Sequence, residues 1–300
     1  MMAVLDNFLL SYGNLVNLCL LNIFLAYGVW LALSVNMFTL GTGGFMALGA
    51  YSSVFLTMHG GWPFSVAVLV GGLLAALAAL AIATPVLRLR GDYFMLATFA
   101  FTEVVRIIAL NWDSVTGGAV GIVGIPQLTQ TWQLAVLAAG ALYFAYAVRG
   151  SYLGRAIAAI REDDVMSQAM GINVLGYRLS LFVSSAFVGG IAGAMAAHLN
   201  FFIGPSDFGL LRSIDALSYP ILGGFDALLG PLVGAILTTI LPELLRFSNQ
   251  WREILMGLLV IGVVLFLPGG AMSLLSFKWR SRHRQSKLVL PDSVEQGAER

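Results

Sequence analysis

The sequence predicts an all-α fold, a polytopic transmembrane helix bundle of about nine spans, with eight to ten compatible with the pattern. Three observations carry this. Of the 300 residues 59% are hydrophobic and 10% charged, against roughly 25% charged in an ordinary soluble domain. No Lys, Arg, Asp or Glu occurs between Asp6 and Arg88, and further uncharged runs cover 114–148, 179–206 and 254–277. Each run is long enough to cross a bilayer, since roughly 20 apolar residues at 1.5 Å rise span the hydrocarbon core. Finally, the alternating pattern of a membrane barrel is absent, and an isolated strand would leave its backbone unpaired in lipid.

In chain order, hydropathy and loop punctuation predict spans near 8–34, 43–58, 64–87, 93–111, 132–149, 179–203, 209–222, 227–246 and 253–272. Residues 1–277 form one transmembrane domain, followed by a basic cytoplasmic tail over 278–300. The N-terminal MMAVLDNFLL has no basic leader and carries Asp6, so it is read as the start of the first span and not as a cleaved signal. Basic loops stay in the cytoplasm. Arg88 and Arg90 mark one such loop, Arg149, Arg155, Arg161 and Arg178 a second, and Lys278, Arg280, Arg282, Arg284 and Lys287 the tail. The connection 112–131, with Asp113 and no basic residue, faces outside. Arg212, Arg246 and Arg252 then fall on the outer side, against the charge rule.

Small residues recur at helix-packing spacing at Ser185, Gly189, Gly193 and Ala197, and again at Gly230 and Gly234. Such faces let backbones approach closely, inside one bundle or between subunits. GGFMALG at 43–49 also echoes GGFDALLG at 223–230, a short match of the kind an internal duplication would leave.

No catalytic or metal-binding motif is visible. The two lysines, Lys278 and Lys287, lie in the tail outside any phosphate-binding loop, so ATP hydrolysis by this chain is not expected. Cys19 alone builds neither a disulfide nor a cysteine metal site. His59, His198 and His283 are far apart in sequence, and no cofactor is expected. The dispersed basic residues argue against nucleic acid as a partner.

Three groups of residues are candidates for function. The connection 149–178 is far longer than the few residues a link between spans needs. Gly154 and Gly171 bracket a predicted amphipathic helix whose Arg155, Arg161, Glu162 and Asp163 can make charged contacts, while Ala158, Ala159, Ile160, Ala169 and Met170 offer small apolar surface. It reads as a docking element, and its composition fits a solvated surface helix equally well. Thr116, Gly117, Gly118, Gly121 and Gly124 form a flexible outer segment that is either the mouth of a pathway or a plain loop. Glu103 and Arg106, three apart on one predicted helix, form an intramembrane pair read as structural.

GRAIAAIREDDVMSQAMGIN at 154–173 resembles the cytoplasmic loop of the branched-chain amino-acid permeases, membrane subunits of ATP-binding-cassette importers. LRLRGDYFMLATFAFTEVVR at 87–106, NWDSVTGGAVGIVGIP at 111–126, and ILGGFDALLGPLVGA with LPELLR within 221–246 extend the likeness over almost the whole chain, closer to the M-type permease than to its H-type partner. The resemblance implies an importer permease fold in the bacterial inner membrane. It also implies a heterodimer with a second permease, two ATPase subunits docked on the cytoplasmic loops, and a periplasmic substrate-binding protein. The chain departs from the family at 36–51 and at Asp226, where a small uncharged residue is usual. The residues alone leave a secondary transporter or channel for a small polar solute, such as urea or an amide, as the alternative.

Overall fold

The computed structural model describes residues 2–89, 91–244, 257, 270 and 272. The predicted ninth span at 253–272 lies almost entirely outside the described residues, and the tail 278–300, Arg246 and Arg252 lie wholly outside them. Eleven helices follow in order: α1 (Met2–Leu33), α2 (Thr42–Met58), α3 (Phe64–Val86), α4 (Asp92–Asn111), α5 (Asp113–Thr116), α6 (Thr131–Gly150), α7 (Tyr152–Glu162), α8 (Asp164–Ala169), α9 (Val174–Asn200), α10 (Leu210–Gly223) and α11 (Gly230–Leu244). Every predicted span from the first to the eighth has its helix. Five of these helices are long and apolar enough to cross a membrane: α1 (over Gly13–Leu33), α3, α4, α6 and α9.

The bundle is built around α9 and α1. In their most apolar stretches 61% of α9 and 67% of α1 is buried, against 28% of α4 and 22% of α6, so the first two are central and the last two peripheral. α9 packs on α1, α2 and α3, and α1 also on α6, α10 and α11. The small-residue face makes this possible: a Cβ on Gly193 would run into the backbone of Met46, and Gly189 lies against Phe45. Gly230 and Gly234 do the same for the α10–α11 contact, against Gly224 and Tyr219. Both small-residue motifs therefore serve packing within the chain. The peripheral helices leave large apolar side chains uncovered, such as Leu73 and Leu77 on α3, Leu96 and Ile107 on α4 and Val136 on α6, as expected where the solvent is acyl chain.

The two echoing glycine segments adopt different structures. Residues 43–49 lie within α2, whereas 224–229 form the turn between α10 and α11, so the match does not mark equivalent elements. A small non-helical feature was also not anticipated: β1 (Ile122–Val123) pairs antiparallel with β2 (Phe202–Ile203).

Side-chain bonds sort the loops into two faces. On one, Trp30 Nε1 donates to Phe225 O at 2.9 Å and Asn36 Nδ2 donates to Arg161 O at 2.8 Å. These join the end of α1 to α7 and to the α10–α11 turn. On the other, His198 Nδ1 meets Pro126 O at 3.0 Å, Thr129 Oγ1 donates to Met195 O at 3.0 Å, and the β1–β2 ladder ties 122–123 to the end of α9.

Two irregular segments enter the bundle, 37–41 before α2 and 201–209 before α10. Backbone polar groups at membrane depth must find partners within the protein. Leu40 N–H donates to Thr98 Oγ1 at 3.0 Å, Leu40 O accepts from Thr102 Oγ1 at 2.7 Å, and Gly43 N–H donates to Ser213 Oγ at 2.9 Å. The hydroxyls of α4 and α10 thus replace the missing helical bonds.

Candidate functional site

The connection 149–178 is two short helices and not one. Ser151 caps α7, its Oγ accepting from Gly154 N–H at 3.4 Å. Asp163 has extended backbone and caps α8, its Oδ1 accepting from Val165 and Met166 N–H at 2.7 and 3.0 Å. The predicted single helix fails at Asp163 because a carboxylate that bonds two backbone donors ahead of it starts a helix. α7 buries Ala156 and Ile160 against its own bundle. Ile160, expected on a partner surface, is therefore core. Arg155, Ala158, Glu162, Asp163, Ala169 and Met170 are exposed, and Gly171 turns the chain out of α8 at φ +82°. Gly154 lies against the carbonyl oxygen of Val148, where no side chain fits.

Two ion pairs fasten this connection to the bundle. Arg161 pairs with Asp226 of the α10–α11 turn, and its guanidinium lies 4.5 Å from the centre of the Phe225 ring. Asp226, a departure from the family pattern in sequence, thus has a partner. Arg178 at the start of α9 pairs with Asp164 of α8. Beside Arg161 lies a cavity of about 350 Å³ lined by Trp30, Ser34, Gly154, Glu162 and Phe225 among others.

The outer segment is ordered by its backbone. Thr116 is buried, and its Oγ1 donates to Ala109 O at 2.5 Å and lies 2.7 Å from Trp112 O. Gly117, Gly118, Gly121 and Gly124 all have positive φ, between +57° and +79°. Gly121, at φ +76° and ψ −173°, is in a region essentially restricted to glycine, and a Cβ there would strike Ile203 O. The segment predicted to be flexible is a set of turns closed against β2.

Glu103 and Arg106 do pair, Oε2 to Nε at 2.7 Å, with side chains 24% and 32% exposed. Arg106 lies beside Gly209, at the entry to α10. The sequence reading missed what lies beyond. Arg212 is not at the outer face: Nη2 donates to Asn22 Oδ1 at 3.1 Å, in the middle of the apolar stretch Gly13–Leu33 of α1, and Nη1 approaches Tyr219 Oη at 3.4 Å. Asn22 Nδ2 in turn donates to Thr239 Oγ1 of α11 at 3.0 Å. A lone Arg in an apolar stretch reads as a loop charge, and its partners lie 190 residues before it and seven after it. The available signal was the closeness of Arg212 to Asp215 inside a predicted span, because ionisable residues within spans are costly and retained for a reason.

The described residues form a bundle with five helices long and apolar enough to cross a membrane and a connection between α6 and α9 tied down by ion pairs, and comparison with known proteins decides its kind. Residues 11–264 match the profile of the family described as branched-chain amino acid transport system / permease component. The chain belongs to that family. It is 30% identical to the LivM high-affinity branched-chain amino acid transport system permease of Escherichia coli strain K12, over 90% of this chain and 72% of the relative. It is 29% identical to the LivM protein of Salmonella typhimurium, over 95% and 76%. The LivH permease of Escherichia coli strain K12 is 28% identical over 42% of this chain and 41% of its own length. No solved structure matches. The likeness to LivM covers at least 90% of this chain, in accord with the M-type resemblance, and this chain is the permease component of a transport system, a multi-pass membrane protein.

Proposed function

We propose that this permease is the non-catalytic translocation subunit of an ATP-driven importer for branched-chain or other apolar amino acids in the bacterial inner membrane. The observation that carries the reading is the match to LivM along 90% of the chain, joined to a connection between α6 and α9 that presents exposed side chains on a firmly tied frame. Energy comes from two separate ATPase subunits. A second permease of LivH type completes the heterodimer, and a periplasmic binding protein delivers the amino acid.

In this reading residues 1–277 are the permease domain, with 278–300 as a cytoplasmic tail. α7 and α8, through Gly154, Arg155, Arg161, Glu162, Asp163 and Gly171, form the coupling element. It joins α6 to α9 directly, so a force on it moves a peripheral helix and a central one. The turns at Thr116, Gly117, Gly118, Gly121 and Gly124 border the outer mouth. Glu103 and Arg106 neutralise each other as structural partners and do not form a proton relay. The test is uptake by the reconstituted complex with a panel of radiolabelled amino acids, amides and urea. ATP-dependent uptake of leucine, isoleucine or valine is expected, and import of only urea or amides would displace the assignment.

A further inference from the structure

α10 has an outer face that lipid cannot satisfy. Ser213, Ala216, Tyr219 and Pro220 point into the bundle, while Leu211, Ile214 and Asp215 are exposed on the opposite side, Leu211 at 78%. The depth of this face is fixed at two points. The turn after α10 lies beside Trp30 and Arg161, at the end of α1, and Arg212 bonds Asn22 in the middle of that helix's apolar stretch, Gly13–Leu33. Asp215 is nine residues before Gly224, about 13 Å at 1.5 Å per residue, close to half of a hydrocarbon core of about 30 Å. A carboxylate facing acyl chains there is heavily penalised, and such groups face a bundle interior, a partner or water.

Arg212 lies three residues before Asp215, yet it directs its bonds to Asn22 and Tyr219, and no ion pair forms between Arg212 and Asp215. Two opposite charges thus sit one turn apart on one helix without a direct ion pair, with the exposed apolar side chains of Leu211 and Ile214 beside them. We infer that this face of α10 borders the translocation pathway and receives the substrate as a zwitterion, its ammonium on Asp215, its carboxylate on Arg212 and its apolar side chain on Leu211 and Ile214. Arg212 retains unused guanidinium N–H donors for the carboxylate, since five are available. The inference rests on the amino-acid permease reading above.

The experiment uses the complete complex with leucine as probe. Asp215→Asn removes the anion at constant shape and is expected to lower leucine uptake at least about tenfold, the scale of one lost charged hydrogen bond, with copurification of the second permease unchanged. Asp215→Glu should retain part of the rate. In a Cys19→Ser background, Asp215→Cys and Leu211→Cys should react with a membrane-impermeant cationic thiol reagent and be protected by leucine, while Leu77→Cys on the lipid-facing side of α3 should not react. Absence of reaction at both α10 positions with normal uptake would place this face against lipid. Loss of the second permease in Asp215→Asn would make it a subunit contact. Either result overturns the proposal, as does a variant importing leucine at the wild-type rate. A wild-type complex that imports no amino acid would overturn the permease assignment itself, a distinct failure.

Discussion

The loop at 116–124, predicted to face outward, and the connection between α6 and α9 are both glycine-containing segments outside the long helices, yet they are held in place by different physics. Residues 116–124 are fixed by backbone: positive-φ glycines, a two-residue ladder and a buried threonine hydroxyl. Residues 151–178 are fixed by side chains: a serine cap, an aspartate cap and ion pairs from Arg161 and Arg178, while Val165, Met166 and Met170 stay at least 58% exposed. The first arrangement tolerates no new side chain. The second leaves apolar and charged side chains exposed, the kind of surface the proposed docking role needs.

If the outer loop is set by backbone, Gly121→Val should have the largest effect. The glycine-only conformation costs about 1–3 kcal/mol in any other residue, and the clash with Ile203 O adds to it. Folded yield in membranes should fall severalfold or more; a normal yield would mean the loop is looser than its dihedral angles state.

Next in size is the intramembrane pair. Glu103→Gln leaves Arg106 unpaired at a cost of up to about 2.5–3.5 kcal/mol on insertion scales, lessened by partial exposure, whereas Glu103→Gln with Arg106→Gln removes both charges. The double variant should recover yield relative to the single one. A single variant that folds normally and fails to transport would make Glu103 part of the transport chemistry.

The smallest effect on stability is expected at Arg161–Asp226. Asp226 is 65% exposed, so solvent screening limits the pair to about 0.2–1 kcal/mol. Asp226→Ala should leave yield unchanged within error and alter uptake, because the pair ties α7 to the α10–α11 turn. Loss of folded protein would move this contact into the class of the outer loop.

The positions of the first eight long apolar segments as helices were legible because hydrophobic runs and Gly or Pro punctuation are local signals. Pro63 opens α3 and Gly91 opens α4 where the sequence reading ended its loops. The break at Asp163 was less so, since IREDDV reads as one amphipathic run until the cap is seen to bond two donors ahead. The mid-membrane network was illegible in detail: Asn22, Arg212, Tyr219 and Thr239 come from three helices, and no local pattern links them. The sequence marks Arg161 as a charged contact but gives no sign of its partner, because Asp226 meets it only when 65 residues of chain have folded back.

The central claim, that α7 and α8 couple ATPase action to the permease, is tested most directly on their exposed surface, since Gly171 is also needed for its turn. Glu162→Arg and Met166→Glu alter exposed side chains only, and such surface changes ordinarily shift stability by less than about 0.5 kcal/mol. Purified with the second permease and the ATPases, each variant would be compared for ATPase retention, substrate-stimulated hydrolysis and leucine uptake. The account predicts a permease present in the membrane at normal yield with uptake lost and ATPase retention or stimulation reduced. Normal retention, stimulation and uptake in both variants would contradict it.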